Sequence, residues 1–181
     1  MKFSIDSEKI LILDFGSQYT QLIARRIREI GVYSEIVSHQ ISYKEIKKNL
    51  PNGIILSGGP ESVYAKKTLT LDPEILNSNI PILGICYGMQ LIAQHFQGKV
   101  KTSKKSEFGN TSITLYRGKI LQKISNKDLN VWMSHGDKVT QLPKGFKKIA
   151  SSKNCSIAAF ANEKHKKYGL QFHPEVTHTE K

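Results

Sequence analysis

Ile80-Pro-Ile-Leu-Gly-Ile-Cys86-Tyr-Gly-Met-Gln90 decides how this chain is read. Residues 81–85 are a short apolar run, the pattern of a buried strand, and the spacing beyond them predicts a helix over 89–96. Between the two stands Gly84-Ile85-Cys86-Tyr87-Gly88. Glycines on either side let a strand reverse into a helix so tightly that the Cys86 side chain is pushed clear of the backbone, a nucleophile elbow with sulfur in place of oxygen. The free N–H groups and positive dipole end of the following helix favour a thiolate there. A cysteine alone reads as a small buried hydrophobe. The flanking glycines and a His-Pro-Glu near the C-terminus change that reading.

Upstream of the elbow, residues 10–15 form a continuous apolar run, as in a strand buried on both faces of a parallel sheet. Gly16-Ser17-Gln18 turns into a helix over 19–30, with Leu22, Ile23, Ile27 and Ile30 at helical spacing and Gly31 as its stop. Asp14-Phe15-Gly16 closes that first strand; the other elements of a kinase, which the triplet superficially matches, are absent. A second strand is expected at 34–37, and Ser42 with Glu45 forms a capping-box pattern opening a helix that ends by Leu50-Pro51. Residues 53–57 are a third strand running into Gly58-Gly59-Pro60. This alternation predicts a doubly wound, mostly parallel α/β sheet with helices on both faces, whose ligands bind beyond the carboxyl ends of the strands. Gly16, Gly58-Gly59 and Cys86 all fall at that edge.

Downstream of Gly98 the pattern changes to short strands, at 112–116, 129–133, 148–151, 157–160 and 168–172, separated by turn residues. This half is expected to be strand-rich and partly antiparallel. With 181 residues and no linker or repeat, the chain is read as a single domain, 1–181.

The formal net charge of +12 raises the question of a polyanion partner. The lysine doublets at 47–48, 66–67, 104–105, 147–148 and 166–167 are scattered and carry no interleaved aromatics, so they read as solvated surface, not a nucleic-acid face. Lys164-His-Lys-Lys reads as a hairpin turn. Two cysteines without a CxxC pair, no apolar leader at 1–6 and no run of membrane-spanning length point to a reduced, cytoplasmic setting with no membrane partner. No metal-ligand spacing is present.

The chemistry gathers at both ends of the second half. His173-Pro174-Glu175 ends the last predicted strand, where residues two apart face the same side, so Glu175 can hold the His173 ring. Beside the elbow the three make a nucleophile, a general acid–base and an orienting carboxylate. An oxyanion hole needs the N–H of Tyr87 and one from a neighbouring loop, for which Gly59 is the natural donor. Ser57-Gly58-Gly59-Pro60 otherwise reads as an ordinary turn; its likeness to a phosphate loop is discounted because Pro60 has no N–H and Glu61 would repel phosphate.

These residues resemble the class I glutamine amidotransferases. Cys86-Tyr-Gly-Met-Gln90 and His173-Pro-Glu175 are motifs shared across that family. The resembling stretches also include Asp14-Phe-Gly-Ser-Gln-Tyr-Thr20, Ile55-Leu-Ser-Gly-Gly-Pro60, Trp132-Met-Ser-His-Gly-Asp-Lys-Val139 and Gln171-Phe-His-Pro-Glu-Val-Thr-His-Thr179, and among them Tyr87, Ser134-His-Gly-Asp137 and Val176-x-His-Thr179 resemble the branch that serves GMP synthesis. The resemblance runs nearly end to end. It implies attack of Cys86 on the side-chain amide of glutamine, protonation of the departing ammonia by His173 and release of glutamate from a thioester by water. It also implies that Gly58, Gln90, Ser134, His135 and Gly136 hold the substrate, with Asp137 on the same loop. Ammonia would go to an ATP-pyrophosphatase (synthetase) portion that activates XMP with ATP and magnesium; the amidotransferase part itself needs no cofactor, and the full enzyme would be a homo-oligomer. Two departures stand out: Ser106 occupies a position where the family usually carries arginine before Glu107-Phe108-Gly109, and the chain ends at Lys181, short of the family's closing helix. The expectation is an amidotransferase part of a longer enzyme. The competing readings are a γ-glutamyl hydrolase using the same triad and a non-enzymatic binding domain with Cys86 merely buried.

Overall fold

A computed structural model describes residues 8–60, 62–63, 69–116 and 118–180, with backbone alone at 104 and 105. Residues 1–6, Glu61, Lys66-Lys67 and Lys181 therefore lie outside the described residues, as do the side chains of Lys104 and Lys105. Nine strands form one sheet in the order β2-β1-β3-β4-β9-β8-β7-β5-β6. Its first five neighbours, β2 (Tyr33–Ser38), β1 (Lys9–Asp14), β3 (Gly53–Leu56), β4 (Ile82–Ile85) and β9 (Lys167–Leu170), are parallel. The remaining strands, β8 (Ala159–Asn162), β7 (Lys147–Ser152), β5 (Lys99–Leu115) and β6 (Asp128–Gln141), extend the same sheet in antiparallel pairs. The last strand thus returns to the parallel half and brings the end of the chain beside the elbow.

The alternation along β1 sorts its side chains to two cores. Leu11 and Leu13 pack with Met89 and Ile92 of helix α4 (Tyr87–His95) and with Ile75 of α3 (Pro73–Asn77). Ile12 packs with Ile23 and Ala24 of α1 (Thr20–Glu29) on the opposite face. Helices on both faces follow from a strand whose middle, Ile10 to Leu13, is apolar at every position. A third cluster, around Val131, Met133, Ile149 and Phe172, belongs to the antiparallel half.

Three expectations need correction. The capping box forms, with Glu45 N–H on Ser42 Oγ and Ser42 N–H on Glu45 Oε2, but the helix it opens, α2, covers only Tyr43–Ile46. Tighter bonds then take over, Lys48 N–H to Glu45 O and Asn49 N–H to Ile46 O, and Pro51 keeps Leu50 out of helical backbone. Helix α3 was missed, although Asp72 caps it by accepting from the Glu74 N–H and Pro73 stands at its start. The expected short strands at 112–116 and 129–133 are the turn-proximal ends of the two arms of a long hairpin, 17 and 14 residues, whose first arm ends at Leu115 and whose pairing is irregular between Thr102 and Glu107. Residues 99–111 lack the apolar alternation that announces a strand.

The turn at 163–166 forms as expected, but Lys167 is buried. Its Nζ donates to the carbonyl oxygens of Ser78, Ile80 and His165 at 2.8, 2.9 and 3.1 Å. Burial, assisted by the charge of Lys166, pulls its ammonium down to about 8. No described helix is long and apolar enough to cross a membrane.

Candidate active site

All five parallel strands point the same way, so the turns after β1, β3, β4 and β9 share one edge. Cys86 follows β4 directly, with φ 51° and ψ −103°, a left-handed backbone that costs a non-glycine residue energy and that the surroundings must hold. The two glycines are required by contact. A Cβ on Gly84 would lie 2.4 Å from Gly88 backbone, and one on Gly88 would lie 2.4 Å from the Leu56 carbonyl oxygen. The Gly88 N–H donates to the Ser57 carbonyl at 3.2 Å, and Cys86 N–H to the Leu170 carbonyl at 2.7 Å, so the elbow is fastened to both neighbouring strand ends.

His173 lies three residues beyond β9, not on the strand as its spacing predicted. It is held in a turn by its N–H, which donates to the Trp132 carbonyl at 2.9 Å, and by its carbonyl, which accepts from Thr179 Oγ1 at 2.7 Å. The Trp132 N–H donates back to Thr179 Oγ1. Within this turn His173 Nδ1 meets Glu175 Oε1 at 2.7 Å, both side chains being buried. Burial alone would pull the His173 imidazolium down. Hydrogen bonds to Cys86 and to Glu175, with the charges of both, outweigh it and hold His173 up to about 9. The Cys86 thiol also faces the Ser134 carbonyl oxygen at 3.5 Å, and Gln171 Nε2 donates to the sulfur at 3.6 Å. A sulfur nucleophile beside a carboxylate-oriented imidazolium can open a carboxamide and protonate the nitrogen it releases.

A cavity of about 320 Å³ opens on the sulfur. Its wall includes Gly59, Cys86, Tyr87, Gln90 and Ser134 through Asp137, together with Pro60, Ser62 and the exposed ring of Phe108. Gly58 is not in that wall: it lies under the His173 ring, where a Cβ would meet Cε1 at 3.2 Å. Ser134, His135, Gly136 and Asp137 are not a loop but part of β6, with His135 and Asp137 in its buried rank. Gln90 Nε2 donates to the Asp137 carbonyl at 3.0 Å, and Ser62 Oγ donates to Asp137 Oδ2. Gly59 has no room for a side chain, since a Cβ would sit 2.9 Å from the Phe15 carbonyl oxygen.

The family model for glutamine amidotransferase class-I matches residues 11–181. The chain belongs to the class I glutamine amidotransferases. It is 52% identical over 180 residues to proteins from Macrococcus caseolyticus and Staphylococcus aureus described as GMP synthase (glutamine-hydrolyzing), covering 99% of this chain and 35% of theirs. The chain therefore spans about a third of the length of the curated relatives it matches. A Thermoplasma acidophilum protein solved as a candidate GMP synthase subunit superposes with a TM-score of 0.84 at 34% identity, over 96% of this chain and 87% of that one. A Thermotoga maritima glutamine amidotransferase at 23% identity shares the fold, with a TM-score of 0.73 over 93% of this chain and 76% of that one.

This amidotransferase carries site residues that spacing did not reveal. Arg26 Nε donates to the Glu175 carbonyl at 3.0 Å, so α1 braces the carboxylate-bearing turn. The Tyr19 ring meets His173 edge-on, 5.1 Å between centroids. Gln171 stood inside the resembling stretch, but only the bend after β9 turns its amide toward the sulfur. Behind β6, Glu107 accepts from Ser152 Oγ at 2.8 Å and pairs with His135 Nε2 at 3.3 Å. Burial pulls His135 below the usual histidine range despite Glu107. Cys155 completes a buried trio with donor atoms within 4.8 Å of one another. Burial first, then the Glu107 charge, pushes its thiol up to about 11.

Proposed function

We propose that this chain is the glutamine-hydrolysing part of a GMP synthase. The observation that carries the reading is 52% identity across 99% of the chain to proteins described as GMP synthase (glutamine-hydrolyzing), in a chain whose Cys86, His173 and Glu175 meet at one sheet edge. In this reading the Cys86 thiolate attacks the side-chain amide carbon of glutamine, forming a C–S bond. The Gly59 and Tyr87 N–H groups receive the charge that collects on oxygen. Gln90, Ser134, His135, Gly136 and Asp137 hold the amino-acid end, and Gly58 supports the His173 ring. The C–N bond breaks as His173 gives the nitrogen its proton, and ammonia departs. Forming the thioester removes the sulfur's charge and hydrogen bond, two of the contributions that hold the proton on His173. Imidazole can then take a proton from water, whose oxygen attacks the thioester carbon; glutamate leaves and sulfur returns as thiolate.

Ammonia then passes to a synthetase portion that uses ATP and magnesium to convert XMP to GMP. The amidotransferase part uses no cofactor of its own, the setting is cytoplasmic, and the assembled enzyme is a homo-oligomer. Glutamine hydrolysis by wild type and Cys86→Ala, with and without the synthetase portion, XMP and ATP, tests this. Slow turnover alone, stimulation by the complete set and none in the variant are expected. Turnover that survives in Cys86→Ala, or that ignores the partner and prefers γ-glutamyl peptides, overturns it.

A further inference from the structure

Two cavities, not one, meet at Cys86. The second, of about 250 Å³, shares Gly59, Pro60, Cys86 and Ser134 with the first. They differ in what else they hold. Gln90, Gly136 and Asp137 line only the first, while His173, Tyr19, Gln18 and Ser17 line only the second. The sulfur is the partition between a chamber without the imidazole and a chamber containing it.

The chemistry assigns a content to each chamber, given the proposed glutamine hydrolysis on which this inference rests. The amide nitrogen can leave only where an acid can reach it, and the one imidazole at the sulfur faces the second cavity. When the C–N bond breaks and nitrogen takes the His173 proton, ammonia is therefore already on that side. The returning water must lose its proton to the same nitrogen base, so it enters by the same route. We propose that the second cavity is the port through which ammonia leaves and water reaches the thioester, and that Ser17, Gln18 and Tyr19 determine which small nucleophile can enter.

The walls fit this use. The Tyr19 ring edge faces His173, and Gly58 leaves the space beneath the imidazole clear, since a Cβ there would sit 3.2 Å from His173 Cε1 and 3.4 Å from Ser17 Oγ. Ser17 is half-buried, and Gln18 and Gly16 are exposed, so a short passage runs from the sulfur along the β1–α1 turn to the surface. That turn is fixed: the Gly16 N–H and Thr20 Oγ1 both donate to Asp14 Oδ1, at 2.9 and 2.7 Å. A passage of that size lined by a hydroxyl, an amide and the Ser134 carbonyl suits a small hydrogen-bonding molecule such as water, ammonia or hydroxylamine.

The test uses the chain with the synthetase portion, XMP and ATP supplied, and hydroxylamine as a competitor of water. Hydroxylamine nitrogen attacks the thioester carbon, its proton passes to His173, sulfur leaves as thiolate, and γ-glutamyl hydroxamate forms instead of glutamate. A glutamine-like chloroketone, which loses chloride to the Cys86 sulfur, reads entry of the amino-acid end into the first chamber and attack by sulfur, and it needs no water from the second. Gln18→Trp and Ser17→Leu, which narrow the port, are expected to slow glutamate release about tenfold, to lower the hydroxamate-to-glutamate ratio and to accumulate thioester on Cys86, with chloroketone labelling at the wild-type rate. Gln18→Ala is expected to raise the ratio. Narrowed variants that match wild type in release and ratio overturn the port, and so does labelling that slows in step with hydrolysis. A wild type that neither hydrolyses glutamine nor takes the label overturns the underlying reading instead.

Discussion

The backbone N–H of Cys86 donates to the carbonyl oxygen of Leu170 across 2.7 Å. Two residues far apart in sequence are thereby made consecutive in space: the end of β4, which carries the sulfur, and the end of β9, which leads to the imidazole. The bond exists because β9 returns to pair parallel with β4, Ile85 opposite Leu170. The meeting of sulfur and imidazole is a consequence of sheet register.

That dependence makes the elbow glycines sensitive to a single methyl group. A Cβ on Gly88 would stand 2.4 Å from the Leu56 carbonyl oxygen, a backbone atom that cannot swing away. Gly88→Ala is expected to cost about 3 kcal/mol and to lower the melting temperature by roughly 10 °C. Gly136 lies in the cavity wall, where an added Cβ would meet nothing nearer than Ser106 Oγ at 4.0 Å among the described residues. Gly136→Ala is expected to melt within a degree or two of wild type while raising KM for glutamine. Thermal melts beside steady-state kinetics separate the two.

In the proposed hydrolysis the proton on His173 sets the alkaline limit. Its imidazolium persists to about 9, so kcat/KM for glutamine is expected to fall with rising pH through that region, tenfold per pH unit beyond it. Glu175→Gln removes one of the two partners that oppose the effect of burial. The limb is then expected to move to lower pH, and kcat/KM at neutral pH to drop at least about 10²-fold, as when the orienting carboxylate of a triad is lost. A pH profile of kcat/KM for both proteins checks this.

How much of this was legible in the sequence depended on whether a feature is local. Gly84-Ile85-Cys86-Tyr87-Gly88 announced the elbow because the steric demand lies within five residues, and the Ser42–Glu45 cap did so for the same reason. The β5–β6 hairpin was largely hidden, since its lysine-rich half pairs without an apolar rank that would mark it. Its concealment carried Ser134 through Asp137 with it, so a strand was read as a loop. Arg26 and Tyr19 could not have been chosen from spacing at all: α1 offers several polar positions, and only the packed sheet decides which of them reach Glu175 and His173. Lys167 was misread because a lysine doublet says nothing about which member faces three carbonyl groups.

The two free thiols are expected to differ sharply in reactivity. Cys86 borders both cavities, whereas Cys155 is fully buried and its thiol is pushed up to about 11, leaving about 10⁻³ of it as thiolate at pH 8. Iodoacetamide at pH 8 is expected to add once to the native chain, on Cys86, and twice after denaturation. Native Cys86→Ala is expected to remain unmodified over the same interval. Intact-mass measurement with peptide mapping reads each case, and rapid native labelling of Cys155 would refute the expectation.

His173 and His135 are both buried and both contact a glutamate, yet they are displaced in opposite directions, which gives folding stability two pH limbs. For His173 the folded value of about 9 lies above the unfolded 6.5, so the folded state binds its proton more tightly. Its contribution is full below 6.5 and is lost as pH rises through 9, on the order of 3 kcal/mol in all. For His135 burial dominates and the folded value lies below 6.5. The unfolded chain then takes up the proton first, and stability is lost as pH falls below about 6.5. From these two groups stability peaks near pH 6.5 and declines on both sides; above pH 8 the His173 loss is opposed by Lys167, whose folded value of about 8 lies below the usual 10.5, so that the unfolded chain holds that proton longer and stability rises with pH there, which makes pH 6.5 to 8 the window in which the alkaline decline is read. His173→Asn should flatten the alkaline decline and leave the acid one, and His135→Asn should do the reverse once its lower baseline stability, from the partner lost by buried Glu107, is taken as the reference. Melting curves from pH 5 to 10 on the three proteins test both signs, and an alkaline limb that persists unchanged in His173→Asn would assign that decline to other groups.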